Sequence, residues 1–323
     1  MQHRRRLFVA TGLALACGVS VAADSSAEWP RQPVRLLVGY PAGGPTDSAA
    51  RVLAEAMSKE TGQQFVVENR SGAEGSIAVN AVVRANPDGY MLVVSLKGAM
   101  SVAPVISKLP YDPLVDLSPI ATLGQSPILI STRPDSGIKT LSDIKKVYEQ
   151  RGGKLSIGYV GALNQMVAEQ LMQELGVEML RVPYKGGPAA MADLVGGRVD
   201  MTVGDAAGPV VEQIKAGGLV GLAVTSARRA AELPNVPTVS EQGFGLLEGT
   251  QWYGLWGPAK MPADLVDRIH KLVAQVMRQP AAIERLAHAH IEPYPASLEQ
   301  MRALMKTEDA HWRKVAEKAG IKP

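Results

Sequence analysis

Cysteine is almost absent from this 323-residue chain, which contains only Cys17. That residue lies in a stretch typical of a secretory signal: arginines at 4–6, an apolar run over 7–16 and small residues ending at Ala23. The run is too short to span a bilayer, so we predict cleavage after residue 23. The mature chain would then hold no disulfide. A lipoprotein beginning at Cys17 is the alternative, and Ala14, where leucine is expected, disfavours it.

Excess charge is also missing. The chain has 34 basic and 31 acidic residues, and loss of the signal removes three arginines and no acid, leaving no net charge. A neutral protein has no general attraction for nucleic acid or an anionic membrane. No later run approaches the roughly 18 apolar residues of a membrane-spanning helix. We therefore expect an exported protein that is free in the periplasm and monomeric.

Motifs of common enzymes are absent as well. The sequence has no Gly-x-Ser-x-Gly elbow, no phosphate loop of the Gly-x4-Gly-Lys-Ser/Thr type and no complete dinucleotide-binding glycine pattern. The histidines after the signal, His270, His288, His290 and His311, all lie in a predicted helical tail. His288 and His290 lack the spacing that puts two metal ligands on one helix face, so we interpret them as surface residues. We expect no catalytic residue, no metal and no cofactor.

Short β-rich apolar runs alternate with helical patterns through most of the chain. This alternation predicts an α/β protein with parallel sheets and helices on both faces. The order is one βα block, a second βα block, and then a strand followed by helices. At this length, two lobes are favoured over one large sheet.

Three glycine-rich loops lead from a predicted strand into a predicted helix. They are residues 39–47 (GYPAGGPTD), 69–76 (NRSGAEGS) and 158–165 (GYVGALNQ). In the first, Pro45 suits the first helical position, and the amides of Thr46 and Asp47 would be left without a helical partner. Such amides at a strand's carboxyl end form an anion site, although the same loop alone equally fits an ordinary turn. Three such loops on one edge indicate a crevice lined with N–H donors.

Once these loops are considered together, nearly the whole mature chain resembles the substrate-binding proteins of tripartite tricarboxylate transporters, the Bug family. The resemblance depends on the order and spacing of several motifs, none of which is decisive alone. They are residues 40–47, 68–70 (ENR), 87–90 (PDGY), 109–113 (LPYDP), 182–186 (VPYKG), 193–200 (DLVGGRVD), 222–226 (LAVTS) with Arg229, and 234–238 (PNVPT).

The resemblance implies a two-lobed Venus-flytrap fold of the periplasmic binding protein type, with two doubly wound sheets joined by two crossover strands. The crossings would fall near 123–127 and 249–252. The implied division is a signal over 1–23, lobe one over 24–125, lobe two over 126–250 and a return to lobe one over 251–323.

The resemblance also implies a ligand site in the cleft. One carboxylate would be held by backbone groups of the first loop and of the facing loop in lobe two, with Asp205 lining a distal pocket. Neutral donors desolvate a carboxylate at lower cost than a buried ion pair. The implied residues are Tyr40, Ala42, Gly43, Gly44, Thr46 and Asp47 from lobe one, and Gly161, Asn164 and Asp205 from lobe two.

Two charged residues bear on the choice of ligand. Glu74 replaces a glycine common in the family, and a carboxylate facing the cleft there would disfavour a dianion. Lys97, just past a predicted strand, would instead pair with a distal carboxylate, so we add it to the site. On this hypothesis Lys97→Ala weakens dicarboxylate binding far more than monocarboxylate binding.

The leading interpretation is a periplasmic receptor that closes on a small organic carboxylate and presents it to permease subunits in the membrane. A sensory receptor that signals to a membrane kinase would have the same cleft. A secreted enzyme acting on a carboxylate is the third interpretation, but it would need a base in the cleft, and no histidine is predicted there. Aliphatic di- and tricarboxylates, acidic amino acids and aromatic acids all remain open as ligands.

Overall fold

The computed structural model describes residues 29–247 and 249–318, so the predicted signal and Cys17 lie outside the described residues. The strands of this part alternate with helices as the sequence predicts, except near the crossings between lobes. The strands are β1 Val34–Val38, β2 Phe65–Asn69, β3 Met91–Leu96, β4 Leu117–Thr132, β5 Ser156–Val160, β6 Leu180–Tyr184, β7 Met201–Asp205, β8 Val220–Val224, β9 Thr250–Pro258 and β10 Glu292–Pro293.

The helices carry apolar residues at helical spacing on their inner faces. In α1 the side chains of Ala49, Val52, Leu53 and Met57 are buried, so this face of the helix packs against the core. The helices are α1 Pro45–Thr61, α2 Ser76–Val83, α3 Ala103–Ile106 after a π-helical turn at Gly98–Val102, α4 Leu141–Gln150, α5 Gly161–Leu175, α6 Gly187–Val195, α7 Pro209–Lys215, α8 Ala263–Val276, α9 Pro280–His288 and α10 Leu298–Lys318.

The strands form two lobes that share β4. In lobe one the order is β2-β1-β3-β9-β4, and in lobe two β4-β7-β5-β6, with β8 also paired to β4. The strand pairs β1–β2, β1–β3, β5–β6 and β5–β7 are parallel, whereas β4 and β9 pair antiparallel with their neighbours. The sheets are therefore mixed, because the strands near the crossings run against the βα strands.

The crossing itself lies within β4. Residues 117–127 of this strand pair with β9, and residues 128–132 pair with β7 and β8. A single continuous strand therefore belongs to both lobes, and its change of partner places the lobes side by side with a cleft between them.

Each lobe has its own apolar core, but the cores do not follow the predicted division of the chain. Val102, Ala103 and Val105 fall in the range predicted for lobe one, yet they pack in the core of lobe two. Trp312 and Ala316 of α10 join the same core, whereas Met301 and Met305 of that helix pack in lobe one. The reason is that α10 and the turn before α3 lie across both lobes.

Candidate functional site

A cavity lies where the loop after β1 meets lobe two. Lobe one contributes that loop, the start of α1 and Gln251 of β9, and lobe two contributes the end of β7 and the starts of α5 and α6. Six residues predicted for the site line this cavity: Tyr40, Gly43, Gly44, Thr46, Asn164 and Asp205. The other four predicted residues, Ala42, Asp47, Lys97 and Gly161, lie outside its lining.

The first wall of the cavity is the N-terminus of α1. Gly44 caps the helix without a side-chain hydrogen bond, and Pro45 occupies the first turn. The amide of Ser48 donates to Gly44 O at 2.9 Å, so helical pairing begins there. Within the described ranges the amides of Gly44, Thr46 and Asp47 donate to no protein group, which leaves three donors at the positive end of the helix.

The side chain of Asp47 has a structural role instead of a ligand-facing one. It is buried, and its Oδ2 accepts from the amide of Gly43 at 3.0 Å and from Arg51 Nε at 2.8 Å, while Oδ1 accepts from Asn69 Nδ2 at 2.9 Å. Burial opposes ionisation, but these hydrogen bonds together hold the pKa of Asp47 below its ordinary value. The Gly43 amide is therefore occupied by the protein, and Asp47 can offer a ligand only its own N–H.

Tyr40 and Gly161 meet across the cleft. The Tyr40 hydroxyl donates to Glu74 O at 3.0 Å, and the ring is buried against Gly75. A Cβ on Gly161 would lie 3.6 Å from this hydroxyl, so the backbone of lobe two approaches Tyr40 closely. Gly161 has a φ of 76°, and α5 begins directly there, so the predicted loop over 158–165 is a strand end and a helix start. Ala42 is exposed.

Lobe two supplies a second helix N-terminus that sequence reasoning did not place in the site. Gly186 caps α6, and Gly186, Gly187 and Pro188 all line the cavity. The Gly186 backbone lies against the ring of Pro41, because a Cβ there would come within 2.9 Å of the proline ring carbons. The available signal was a repeat: Gly-Gly-Pro spans the start of both α1 and α6, at 43–45 and 186–188.

Behind these helix ends, a hydrogen-bond network surrounds Asp205. Tyr253 donates to Asp205 Oδ2 at 2.8 Å, Asn164 Nδ2 to Oδ1 at 3.4 Å, and Gln251 also bonds to the carboxylate. Burial raises the pKa of Asp205 above its ordinary value, although these three donors act in the opposite direction. Sequence reasoning missed Gln251 and Tyr253, because it treated the start of β9 only as a crossing strand.

Lys97 does not belong to the site, so this expectation was wrong. Its Nζ pairs with Glu308 Oε1 of α10 at 2.9 Å and lies 5.6 Å from the centre of the Trp312 ring. The side chain is buried in these contacts, because the turn at Gly98–Val102 directs it toward α10. Glu74 is outside the cavity lining as well, in a turn with a φ of 55°, and burial raises the pKa of its carboxyl.

The cavity thus combines amide donors with one carboxylate, that of Asp205, which is already hydrogen-bonded within the protein. Among the described residues that line it there is no Lys, Arg or His. In the same described ranges, no three His, Cys, Asp or Glu side chains converge to hold a metal ion, and no helix is long and apolar enough to cross a membrane. Such a cavity can hold a small anion through backbone dipoles alone.

The family model described as "Tripartite tricarboxylate transporter family receptor" matches residues 49–321. The chain belongs to this family. A relative from Agrobacterium vitis, named UPF0065 protein in the TAR-I ttuE-ttuC' intergenic region, is 35% identical over 306 residues, which cover 92% of this chain and 87% of that one.

Solved structures support the same assignment. The periplasmic binding protein BugD is 33% identical with a TM-score of 0.84, and the match covers 91% of this chain and 99% of BugD. R. palustris Rpa4515, solved with adipate, is 31% identical with a TM-score of 0.84 and the same coverage. The two-lobed periplasmic binding protein fold and the Bug relationship that the sequence predicts are therefore confirmed, and this receptor is a solute-binding protein.

Proposed function

We propose that this receptor closes on a small organic carboxylate in the periplasm and delivers it to a membrane permease of the tripartite tricarboxylate type. The observation that carries the proposal is that two helix N-termini, α1 from lobe one and α6 from lobe two, face one cavity. The lining of that cavity includes no basic side chain among the described residues.

The arrangement supports both the proposed binding and the proposed closure. Amides at the N-termini of α1 and α6 stabilise an anion by partial positive charge and by direct hydrogen bonds. Since these donors come from different lobes, only the closed form offers them together. A carboxylate that contacts both lobes therefore shifts the population toward the closed form, which presents a composite surface to a permease.

Several findings support the chemical class and the location. Rpa4515 was solved with adipate, a carboxylate, and BugD is a periplasmic protein. The family description supports delivery to a transporter. The signal predicted over residues 1–23 supports export, and we propose that it is cleaved. The Asp205 carboxylate already accepts hydrogen bonds from three donors of the protein. We propose that the receptor binds its ligand without catalysing a reaction.

The first test is direct identification of the ligand. Small molecules released from the purified protein are identified by mass spectrometry, and a thermal-shift panel of organic acids follows. We expect carboxylates to raise the melting temperature by mass action, while the matched neutral amides do not. Stabilisation by amides as strong as that by acids would contradict the proposal.

A blocking variant tests the place of binding. Gly204 lines the cavity, and a Cβ there meets no atom within 4 Å, so Gly204→Leu fills the cavity without a backbone clash. We expect this variant to fold and to lose the calorimetric signal of the acid. Ala192→Leu, on the exposed side of α6, is the matched control and should bind like the wild type.

Delivery needs a separate measurement. Uptake of the labelled acid into vesicles that contain permease subunits of the tripartite tricarboxylate type should depend on added receptor, and Gly204→Leu should not support it. Uptake that is independent of the receptor would favour a sensory role.

A further inference from the structure

Asn164 carries a hydrogen-bond acceptor without a partner inside the cavity. The residue lies in the first turn of α5, lines the cavity and is 3% exposed. Its Oδ1 is buried and accepts no hydrogen bond from any described residue. Buried polar atoms are nearly always paired in native proteins, so an orphaned one at a ligand site indicates a group that the ligand supplies.

The orientation of the Asn164 amide follows from its neighbours. Nδ2 donates to Val160 O at 2.9 Å and to Asp205 Oδ1 at 3.4 Å. Both partners are acceptors, so a flipped amide would place an oxygen against two oxygens. Asn164 has therefore used its donors within the protein. Its side chain therefore has no donor left for a ligand carboxylate.

The polarity of the cavity differs from one wall to the other. The starts of α1 and α6 provide amide donors. The wall formed by Asn164 and Asp205 provides oxygen acceptors, one of them unpaired. A ligand that satisfies both walls must itself carry an acceptor group and a donor group.

We propose that the ligand is a carboxylic acid that also bears a hydrogen-bond donor, a hydroxyl or an ammonium group, which Asn164 Oδ1 accepts. The inference rests on the proposed function, because the amides of α1 and α6 take the carboxylate. An acid that lacks the donor leaves Asn164 Oδ1 unpaired in the closed form and binds more weakly for that reason.

Calorimetry with matched pairs of acids tests the inference. Each pair shares a carbon skeleton and differs only in the donor group: lactate and propionate, malate and succinate, aspartate and succinate, 4-hydroxybenzoate and benzoate. We expect the donor-bearing member of the best-binding pair to bind at least about ten-fold more tightly. The hydroxyl and amine pairs separate the two possible donors.

Two variants show whether Asn164 is responsible. In Asn164→Leu, which keeps the size of the side chain, the preference within the best pair should fall below about three-fold, because the acceptor is gone. Asn80→Leu on α2 is the matched control and should keep the full preference. If Asn164→Leu does not fold, Asn164→Asp, which keeps an acceptor oxygen, should retain the preference and shift it toward the ammonium member.

The outcomes separate this inference from the proposed function. Equal binding of both members of every pair, or a full preference retained in Asn164→Leu, would overturn the inference and leave carboxylate binding standing. Failure of every acid to bind would overturn both.

Discussion

Asp47 illustrates how one side chain prepares the site without entering it. Its buried carboxylate joins Gly43, Arg51 and Asn69, and so fixes the loop ahead of α1. The same contacts lower its pKa, so its contribution to stability is present above the ordinary pKa of an aspartate and is lost as the pH falls through the lowered value.

We therefore predict that Asp47→Asn reduces the free energy of unfolding by about 1–3 kcal/mol at neutral pH. The difference from the wild type should shrink in acid, where the wild-type carboxylate also becomes protonated. Urea unfolding at neutral pH and at a pH below the lowered pKa measures both values. Asp267→Asn, which removes an exposed ion pair with Lys271, is the control and should change little.

Lys97 leads to a prediction opposite to the one drawn from sequence. Because Lys97 pairs with Glu308 in a buried contact over Trp312, Lys97→Met leaves the Glu308 carboxylate without its cation and should lower stability by on the order of 3 kcal/mol. The ratio of dicarboxylate to monocarboxylate affinity should stay unchanged. Thermal unfolding and calorimetry measure the two effects, with exposed Lys145→Met as control. A selective loss of affinity for dicarboxylates in Lys97→Met would show that Lys97 contributes to ligand binding after all.

At the scale of elements, the loop ahead of α1 and the start of α6 approach each other from opposite lobes. The Gly186 backbone lies against Pro41, and its extended conformation accepts any side chain. We predict that Gly186→Val hinders closure: the affinity for the acid should fall by about ten-fold, while the melting temperature of the unliganded protein stays the same. Adding Pro41→Ala should restore part of the affinity. Equal affinity of Gly186→Val and wild type would show that closure does not bring Pro41 and Gly186 together.

Most elements could be predicted from sequence, since apolar spacing and glycine or proline punctuation are local signals. The start of α5 was placed too late, because Gly161 opens the helix in a left-handed conformation that the pattern does not reveal. The direction of Lys97 was also beyond prediction, because its partner Glu308 lies more than 200 residues away in sequence. Of the residues that line the cavity, several on strand–helix loops were among those predicted, whereas Gln251 on the crossing strand β9 was missed.

At the scale of the whole molecule, the lobes also meet beside the cavity. Gly208 donates to Ala289 O at 2.9 Å, and His290 Nε2 lies 2.9 Å from Glu212 Oε1. Sequence reasoning placed His290 on the surface, but only 9% of its side chain is exposed. It is held between Glu212 and Glu232, which both also pair with Lys215.

We predict that His290→Ala weakens the closed form and speeds ligand release several-fold, with little effect on association. Stopped-flow displacement of the bound acid measures both rates. His288→Ala, two residues away and largely exposed, is the control. Unchanged release from His290→Ala would show that these contacts do not hold the lobes together.

The absence of ammonium and guanidinium groups from the described cavity lining has a consequence for how ligand capture depends on salt. Peptide dipoles act over a few ångströms only, so they do not draw a solute in from a distance, and dissolved ions have little field to screen. Capture should proceed at the same rate in dilute and in saline surroundings. Such a receptor would bind its solute with little dependence on the salt concentration around it.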